Sequence, residues 1–377
     1  MSNWQYHNPV EIHFGPGIIN NLLDFVMSHK SVLITTPGFT KRGISDSLKK
    51  LLGKSLVAVF DGVQPNSTFS SVKTAFRNLQ AFEYDLIIAL GGGSTIDTAK
   101  AVAAIGASSS DDWIDDHLKR GVHFPDPFSP KPVIAIPTTA GTGSEVTMWA
   151  TVWDMNEMKK YSISHSSLYP KKAILDPELT LSLPDKETIY SGLDALSHAM
   201  EAIWNKNYNP ISDTFALKAI SLVHDYLPEL RNNLINLDLR TNLLHASLFA
   251  GLASSNTKTA LAHSISYPLT AYFGLPHGLA CALPLPHLLE LNGSKRFERL
   301  KILASALRAH STVESMKKSI ISLFEKIGVS LLLTDYEISV KDMKKIADAA
   351  ITPGRADNNI VEFGQNDIME IVKKLFS

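Results

Sequence analysis

The chain is nearly without cysteine. Of its 377 residues only Cys281 is one, which excludes an intrachain disulfide and a zinc site built from cysteines. A lone thiol fits a reducing compartment, and a cytoplasmic location is expected. An excess of either charge is missing too: 36 Lys and Arg against 37 Asp and Glu leave a net charge of -1, so no global field draws the chain to nucleic acid or to a membrane surface. No uninterrupted apolar run approaches the roughly 18 residues of a membrane span. The start, MSNWQYHNPVEIHF, lacks the basic and then apolar pattern of an export signal. No internal repeat or low-complexity stretch stands out. A small-molecule partner is expected, with no nucleic acid and no membrane.

Material for a core is ample. Hydrophobic residues make up 45% of the chain and charged residues 19%, and the length exceeds the roughly 100 to 200 residues of one domain, so two domains are expected. SVLITT (31–36), SLVAVF (55–60), DLIIAL (85–90) and PVIAIP (132–137) are short β-branched, apolar runs of the kind buried on both faces of a parallel sheet. Helical periodicity lies between them at 41–52, 68–82 and 94–105. That order predicts a doubly wound α/β layer with right-handed crossovers. VEIHFGPG (10–17) reads as an N-terminal strand ending in a turn, and residues 107–131, rich in Ser, Asp and Pro, as a long surface excursion. From about 185 the pattern is helical throughout, at 187–205, 210–231, 238–256, 296–308, 312–327, 340–350 and 366–376. An α/β domain over residues 1–182 and an all-α domain over 183–377 are expected.

The strand DLIIAL runs straight into GGGSTIDTAKAVA (91–103). Three glycines allow close backbone approach, and Ser94 and Thr95 open a helix whose free N–H groups favour a phosphate. GGGS is not the GxGxxG fingerprint, and a plain strand-to-helix turn is the simpler alternative. A second cluster, PTTAGTGSE (137–145), again follows a strand and offers hydroxyls and backbone N–H groups at the carboxyl edge of the sheet, where ligands of α/β proteins sit.

In SGLDALSHAMEA (191–202), Asp194 and His198 stand four apart, on one face of a helix. Among 13 histidines such a spacing often arises by chance. His263 and His277 bound HSISYPLTAYFGLPHG, where Pro268, Gly274 and Pro276 are expected to break the helix and let the chain fold back, bringing both imidazoles to the ion held by the first pair. Imidazole with carboxylate suits iron, zinc, nickel or manganese.

Together these segments resemble the iron-containing, or group III, alcohol dehydrogenase family. The resemblance covers nearly the whole chain: FGPG (14–17), PNST (65–68), GGGSTIDTAK (91–100), TTAGTGSEVT (138–147), the lysine of KKYSI (159–163), LDPELT (175–180), GLDALSHAMEA (192–202) and HSISYPLTAYFGLPHG (263–278). It implies an N-terminal dinucleotide-binding α/β domain, a C-terminal helical domain holding metal and substrate, and an NAD(P)-dependent interconversion of alcohol and aldehyde between them. It places the metal, Fe2+ or Zn2+, on Asp194, His198, His263 and His277. Gly92, Gly93, Ser94 and Asp97 then belong to the pyrophosphate loop, Thr138, Thr139 and Thr142 to adenosine and phosphate contacts, and Ser144 to the nicotinamide side. Lys160 is matched to a lysine on the cofactor ribose, although beside Lys159 it equally suits a solvated surface. A homodimer is the family's common state.

Departures from the family bear on specificity. Where many members carry a second histidine four residues after the third ligand, often discussed as a proton relay, this chain has Tyr267, and a phenol is a poorer shuttle near neutrality than an imidazole. The acid that often follows the second strand in NAD-preferring members is replaced by Thr36, with Gly38, Lys41 and Arg42 close behind. Without that carboxylate a 2′-phosphate is not repelled, so NADPH is expected to be accepted beside NADH. Lys258, five residues before His263, and Arg355 in ITPGRADNN (351–359) offer two cations to an anionic substrate tail. TKTALAHSISYPLT, ATVWD (150–154) and GRADN (354–358) resemble the phosphonate-associated branch of the family, which implies reduction of phosphonoacetaldehyde to 2-hydroxyethylphosphonate. The alternatives are a general short-chain alcohol or diol dehydrogenase, a glycerol-dehydrogenase or dehydroquinate-synthase type of site, and a non-catalytic dinucleotide-binding sensor.

Overall fold

The structure is a computed structural model that describes residues 3–108, 110–352 and 354–377. Two compact units divide the chain. An α/β unit holds Asn8–Thr139 and Ser144–Thr180, and a helical unit holds Leu181–Ser377, Ala140–Gly143 and the segment ending at His7.

In the α/β unit, β1 (Glu11–Phe14), β2 (Ser31–Thr35), β3 (Leu56–Phe60), β4 (Leu86–Gly91), β5 (Val133–Pro137) and β8 (Lys172–Leu175) form a parallel sheet in the order β1-β8-β5-β4-β2-β3. Its central strands are buried on both faces, and their residues alternate between two cores. Val32, Ile34, Ile87 and Ala89 enter one, while Leu33, Ile88 and Leu90 enter the other. Helix α1 (Gly93–Gly106) follows β4 and is buried nearly all round, every residue from Thr98 to Ile105 being buried, Lys100 among them.

Three features of this unit depart from the sequence expectation, the first being β8, which was not among the expected strands. The chain after β5 forms an antiparallel hairpin, β6 (Trp149–Asp154) with β7 (Lys159–Ser164), whose Ala150, Val152 and Ile163 join the first core. Residues 107–131 are not only a surface excursion, since Trp113–Arg120 is helical and buries Trp113 and Ile114.

In the helical unit, α2 (Asp185–Ile203), α3 (Pro210–Asn232), α4 (Leu237–Thr257), α5 (Leu261–Phe273), α6 (His277–Ala282) and α7 (Leu285–Leu300) follow one another. Asn209 caps α3 by accepting from the N–H groups of Ile211 and Ser212, with Pro210 in the first turn. The expected break at Pro268 does not occur: α5 runs through it and ends at Gly274, whose φ of 68° is left-handed. A proline removes one hydrogen bond, and a helix buried continuously from Leu261 to Thr270 tolerates that loss. Helix α7 begins eleven residues before the expected 296, with proline in its first turn, and departs from helical geometry at Arg296. Among the described residues no helix is long and apolar enough to cross a membrane.

Candidate functional site

The glycine loop is shaped by contact. A Cβ on Gly91 would lie 2.3 Å from Thr95 Oγ1, so the chain turns from β4 into α1 only without a side chain there. Gly92 caps α1 and Gly93 is its first residue, with no side-chain cap on the leading N–H groups. The Ser94 hydroxyl accepts from Asn66 N–H at 3.2 Å, and the Ser94 carbonyl accepts from Ser67 Oγ and Thr98 Oγ1. Thr138 N–H donates to the Gly91 carbonyl, and Thr139 lies against Gly92. Thr142 falls in the helical unit and Ser144 in the α/β unit.

Behind the loop lies a buried polar network. Asp97 accepts from Ser144 Oγ at 2.6 Å and from Thr151 N–H at 2.9 Å. Lys100, one turn later on α1, is fully buried and donates to the Ser144 carbonyl (2.6 Å), Ser144 Oγ (3.0 Å) and the Trp149 carbonyl (3.0 Å). Burial pulls the Lys100 ammonium down to about 8 and pushes the Glu145 carboxyl up to about 7. Lys100 and Glu145 were not singled out from sequence. The spacing of Lys100, three residues after Asp97 and followed by the apolar run AVAAI, was the available signal. Thr36 caps a short helix, Pro37–Lys41, and the Arg42 guanidinium lies over the Phe39 ring, 3.4 Å from where a Gly38 Cβ would stand. Lys160 pairs across the hairpin with Trp153, its Nζ 5.7 Å from that ring.

Of the four acid and histidine residues, all in the helical unit, Asp194, His263 and His277 bring ligand atoms together, and His198 stands beside them without joining that group. Asp194 and His198 share a face of α2, and His263 lies in the first turn of α5. His277 begins α6, which closes against α2 because Gly278 has no side chain; a Cβ there would be 1.9 Å from the Tyr190 carbonyl. His198 Nδ1 stands 2.9 Å from the Asp194 carbonyl, an obligatory acceptor, so Nδ1 carries the hydrogen and Nε2 keeps its lone pair. His263 Nδ1 is likewise held by Glu201 at 2.7 Å, leaving Nε2 as its donor nitrogen. The imidazole centroids of His198 and His263 are 4.3 Å apart, and those of His263 and His277 5.5 Å.

Donor atoms of Asp194, His263, His277 and Cys281 all lie within 4.8 Å of one another. Two of them, Asp194 Oδ1 and His263 Nε2, are buried without a hydrogen-bond partner and stand 3.7 Å apart. Buried polar atoms left this way are costly, and a divalent cation would satisfy both, so the residues fit a metal. Burial alone would raise the Asp194 carboxyl, but His198, His263 and His277 outweigh it and hold it well below the ordinary carboxylate range. Burial and the charge of His263 pull His198 down to about 4. Burial lowers His263 as well, yet Cys281 and Glu201 outweigh it and raise its imidazole well above the ordinary value.

Of the remaining sequence candidates, Tyr267 is buried one turn after His263, and the Arg355 guanidinium donates to its hydroxyl and lies over its ring. Lys258 is exposed at the end of α4, its φ of 66° left-handed and its carbonyl accepting from Asn205 Nδ2. Glu201 and Cys281 were missed as site residues. Glu201, three after His198, had the spacing of a helix neighbour, and Cys281 stands four after His277.

The chain matches "Iron-containing alcohol dehydrogenase" over residues 9–177 and "Fe-containing alcohol dehydrogenase family, C-terminal" over residues 188–376. Among solved structures it is similar to sulfoacetaldehyde reductase from Bifidobacterium kashiwanohense in complex with NAD+, at 32% identity and a TM-score of 0.93 over all of both chains. It is 30% identical to alcohol dehydrogenase 4 of Schizosaccharomyces pombe, over 91% of this chain and 81% of that one. With the NADPH-dependent butanol dehydrogenase of Clostridium saccharobutylicum it shares 29% identity over 98% of this chain and 97% of its relative. Both halves of the chain and their order match, and the protein belongs to the iron-containing alcohol dehydrogenase family.

Proposed function

We propose that the protein reduces a two-carbon aldehyde bearing a tetrahedral anionic tail, phosphonoacetaldehyde, to 2-hydroxyethylphosphonate with NADPH or NADH. The observation that carries this reading is the contact of Arg355 with Tyr267, which fixes a guanidinium beside the side chain one helical turn from His263. A planar guanidinium binds phosphonate or sulfonate oxygens through paired, charge-assisted hydrogen bonds. Exposed Lys258 is the second cation in the reading. The related sulfoacetaldehyde reductase acts on a substrate that likewise pairs a short aldehyde with an anion.

Asp194, His198, His263 and His277 would hold the metal, Fe2+ or Zn2+, and Glu201 fixes the orientation of His263. When bound, the ion supplies Lewis acidity toward the carbonyl oxygen, and the nicotinamide supplies hydride at C4. Gly92, Gly93 and the opening of α1 take the pyrophosphate, with Thr138, Thr139 and Thr142 on adenosine and phosphate. Asp97 and Lys100 fasten Ser144 for the nicotinamide side, and Lys160 is assigned to the ribose. Tyr267 shapes the pocket and orients Arg355.

The test is an initial-rate series with defined metal, following NADPH and NADH oxidation on phosphonoacetaldehyde, sulfoacetaldehyde and propanal. The expected outcome is a kcat/KM for phosphonoacetaldehyde above that for propanal by about 10 to 100-fold, the worth of one or two charge-assisted hydrogen bonds. Equal or better turnover of propanal would instead make the protein a general short-chain alcohol dehydrogenase.

A further inference from the structure

Cys281 is a cysteine in an unusual setting for a packing residue. It is fully buried on α6, one turn beyond His277, with Sγ 3.7 Å from both ring nitrogens of that histidine. A thiol that only fills space lies among apolar groups. This one lies within 4.8 Å of donor atoms from Asp194, His263 and His277, two of which, Asp194 Oδ1 and His263 Nε2, are buried without a hydrogen-bond partner. The carboxylate, the imidazoles and the sulfur converge on one point from three helices, α2, α5 and α6.

We propose that the Cys281 thiolate is itself a ligand of the metal centre, giving the ion a sulfur donor beside the oxygen of Asp194 and the nitrogens of His263 and His277. The inference rests on the metal-centre reading above and goes beyond the acid and three histidines that the family resemblance assigns. As the sulfur–metal bond forms, the thiol proton leaves to solvent, and no oxidant or reductant is involved. A soft thiolate favours zinc, iron or cobalt over manganese and magnesium, so the residue tunes which ion the centre retains.

Because Cys281 is the sole cysteine, one spectrum decides the matter. The full-length protein, stripped with chelator, is titrated with Co2+ while bound cobalt is counted by equilibrium dialysis and the near-ultraviolet and visible spectrum is recorded. The expected result is stoichiometric cobalt with a sulfur-to-cobalt charge-transfer band, lost in Cys281→Ser and Cys281→Ala while ligand-field bands persist. Stoichiometric cobalt in the wild type without that band overturns the inference and leaves the metal centre standing. A wild-type protein that takes up no cobalt overturns the metal centre itself, and the inference with it. Should a variant fold poorly, the wild-type spectrum is sufficient, since no other thiol can produce the band.

Discussion

Glu201 Oε2 stands 2.7 Å from His263 Nδ1, and the same carboxylate accepts from the N–H groups of Ala260, Ala262 and His263 at the start of α5. One buried acid thus caps a helix and fixes the tautomer of the imidazole that the helix carries. Burial would raise its pKa, but the charge of His263 and these hydrogen bonds lower it, so the group is ionised.

Replacing Glu201 with Gln keeps the volume and removes the charge. Metal affinity is expected to fall about 10 to 100-fold, the usual cost of losing a partner behind a ligand imidazole. Competition with a chelator of known affinity measures it, and unchanged affinity would reduce Glu201 to a helix cap.

Arg42 governs the second prediction. Its guanidinium flanks Gly38 and Thr36 with no carboxylate at the strand end to repel a 2′-phosphate. Arg42→Ala is expected to raise KM for NADPH about tenfold while changing that for NADH little, in line with the loss of one charge-assisted hydrogen bond. Thr36→Asp should turn the preference toward NADH. Steady-state kinetics with both cofactors checks the pair. A loss shared equally by NADH and NADPH would place Arg42 outside the 2′ position.

Asp97 joins α1 to both Ser144 and Thr151. Asp97→Asn can keep an acceptor for Thr151 N–H but then turns its NH2 toward Ser144 Oγ, which already accepts from Lys100, and removes the carboxylate charge beside that lysine, so the segment after β5 loosens. The dinucleotide should bind at least about tenfold more weakly, with metal content unchanged. Fluorescence titration with NADPH and metal analysis on the same sample separate a local effect from a general one.

Why some of this was legible and some not follows from the residues. Val32 to Ile34 and Ile87 to Leu90 must be apolar on both faces, so the parallel strands announce themselves in sequence. The hairpin does not. WATVWD and KKYSIS mix polar and apolar residues, and what makes them strands is their pairing with each other and with the core under Ala150 and Val152. The spacing of Asp194 and His198 places both on one face of α2 whatever surrounds them. The roles of Glu201, Lys100 and Cys281 depend on helices that come together only in the fold. In sequence a lone Cys281 speaks only to the disulfide and the cysteine-built zinc site it cannot form, and to a reducing compartment. At Pro268 a local rule lost to burial of the whole helix.

The last prediction concerns pH. Glu145 is buried with no hydrogen-bond partner for Oε1, and burial pushes its carboxyl from 4.5 up to about 7, only partly offset by a backbone hydrogen bond and by Lys100. Between those values the folded chain keeps a proton that the unfolded chain has lost, so stability is fully present below about 4.5 and falls as pH rises to about 7. The difference is on the order of 3 kcal/mol. For Lys100 the sign reverses. Burial pulls it from 10.5 down to about 8, so from about 8 upward the unfolded chain holds the extra proton and stability returns. The pair predicts a minimum of stability between about pH 7 and about pH 8. Urea unfolding of wild type and Glu145→Gln from about pH 4 to about pH 9 measures it: the difference between the two proteins should vary with pH between about 4.5 and about 7 and level off above. A constant difference throughout would show that Glu145 holds the same charge in the fold as in the unfolded chain.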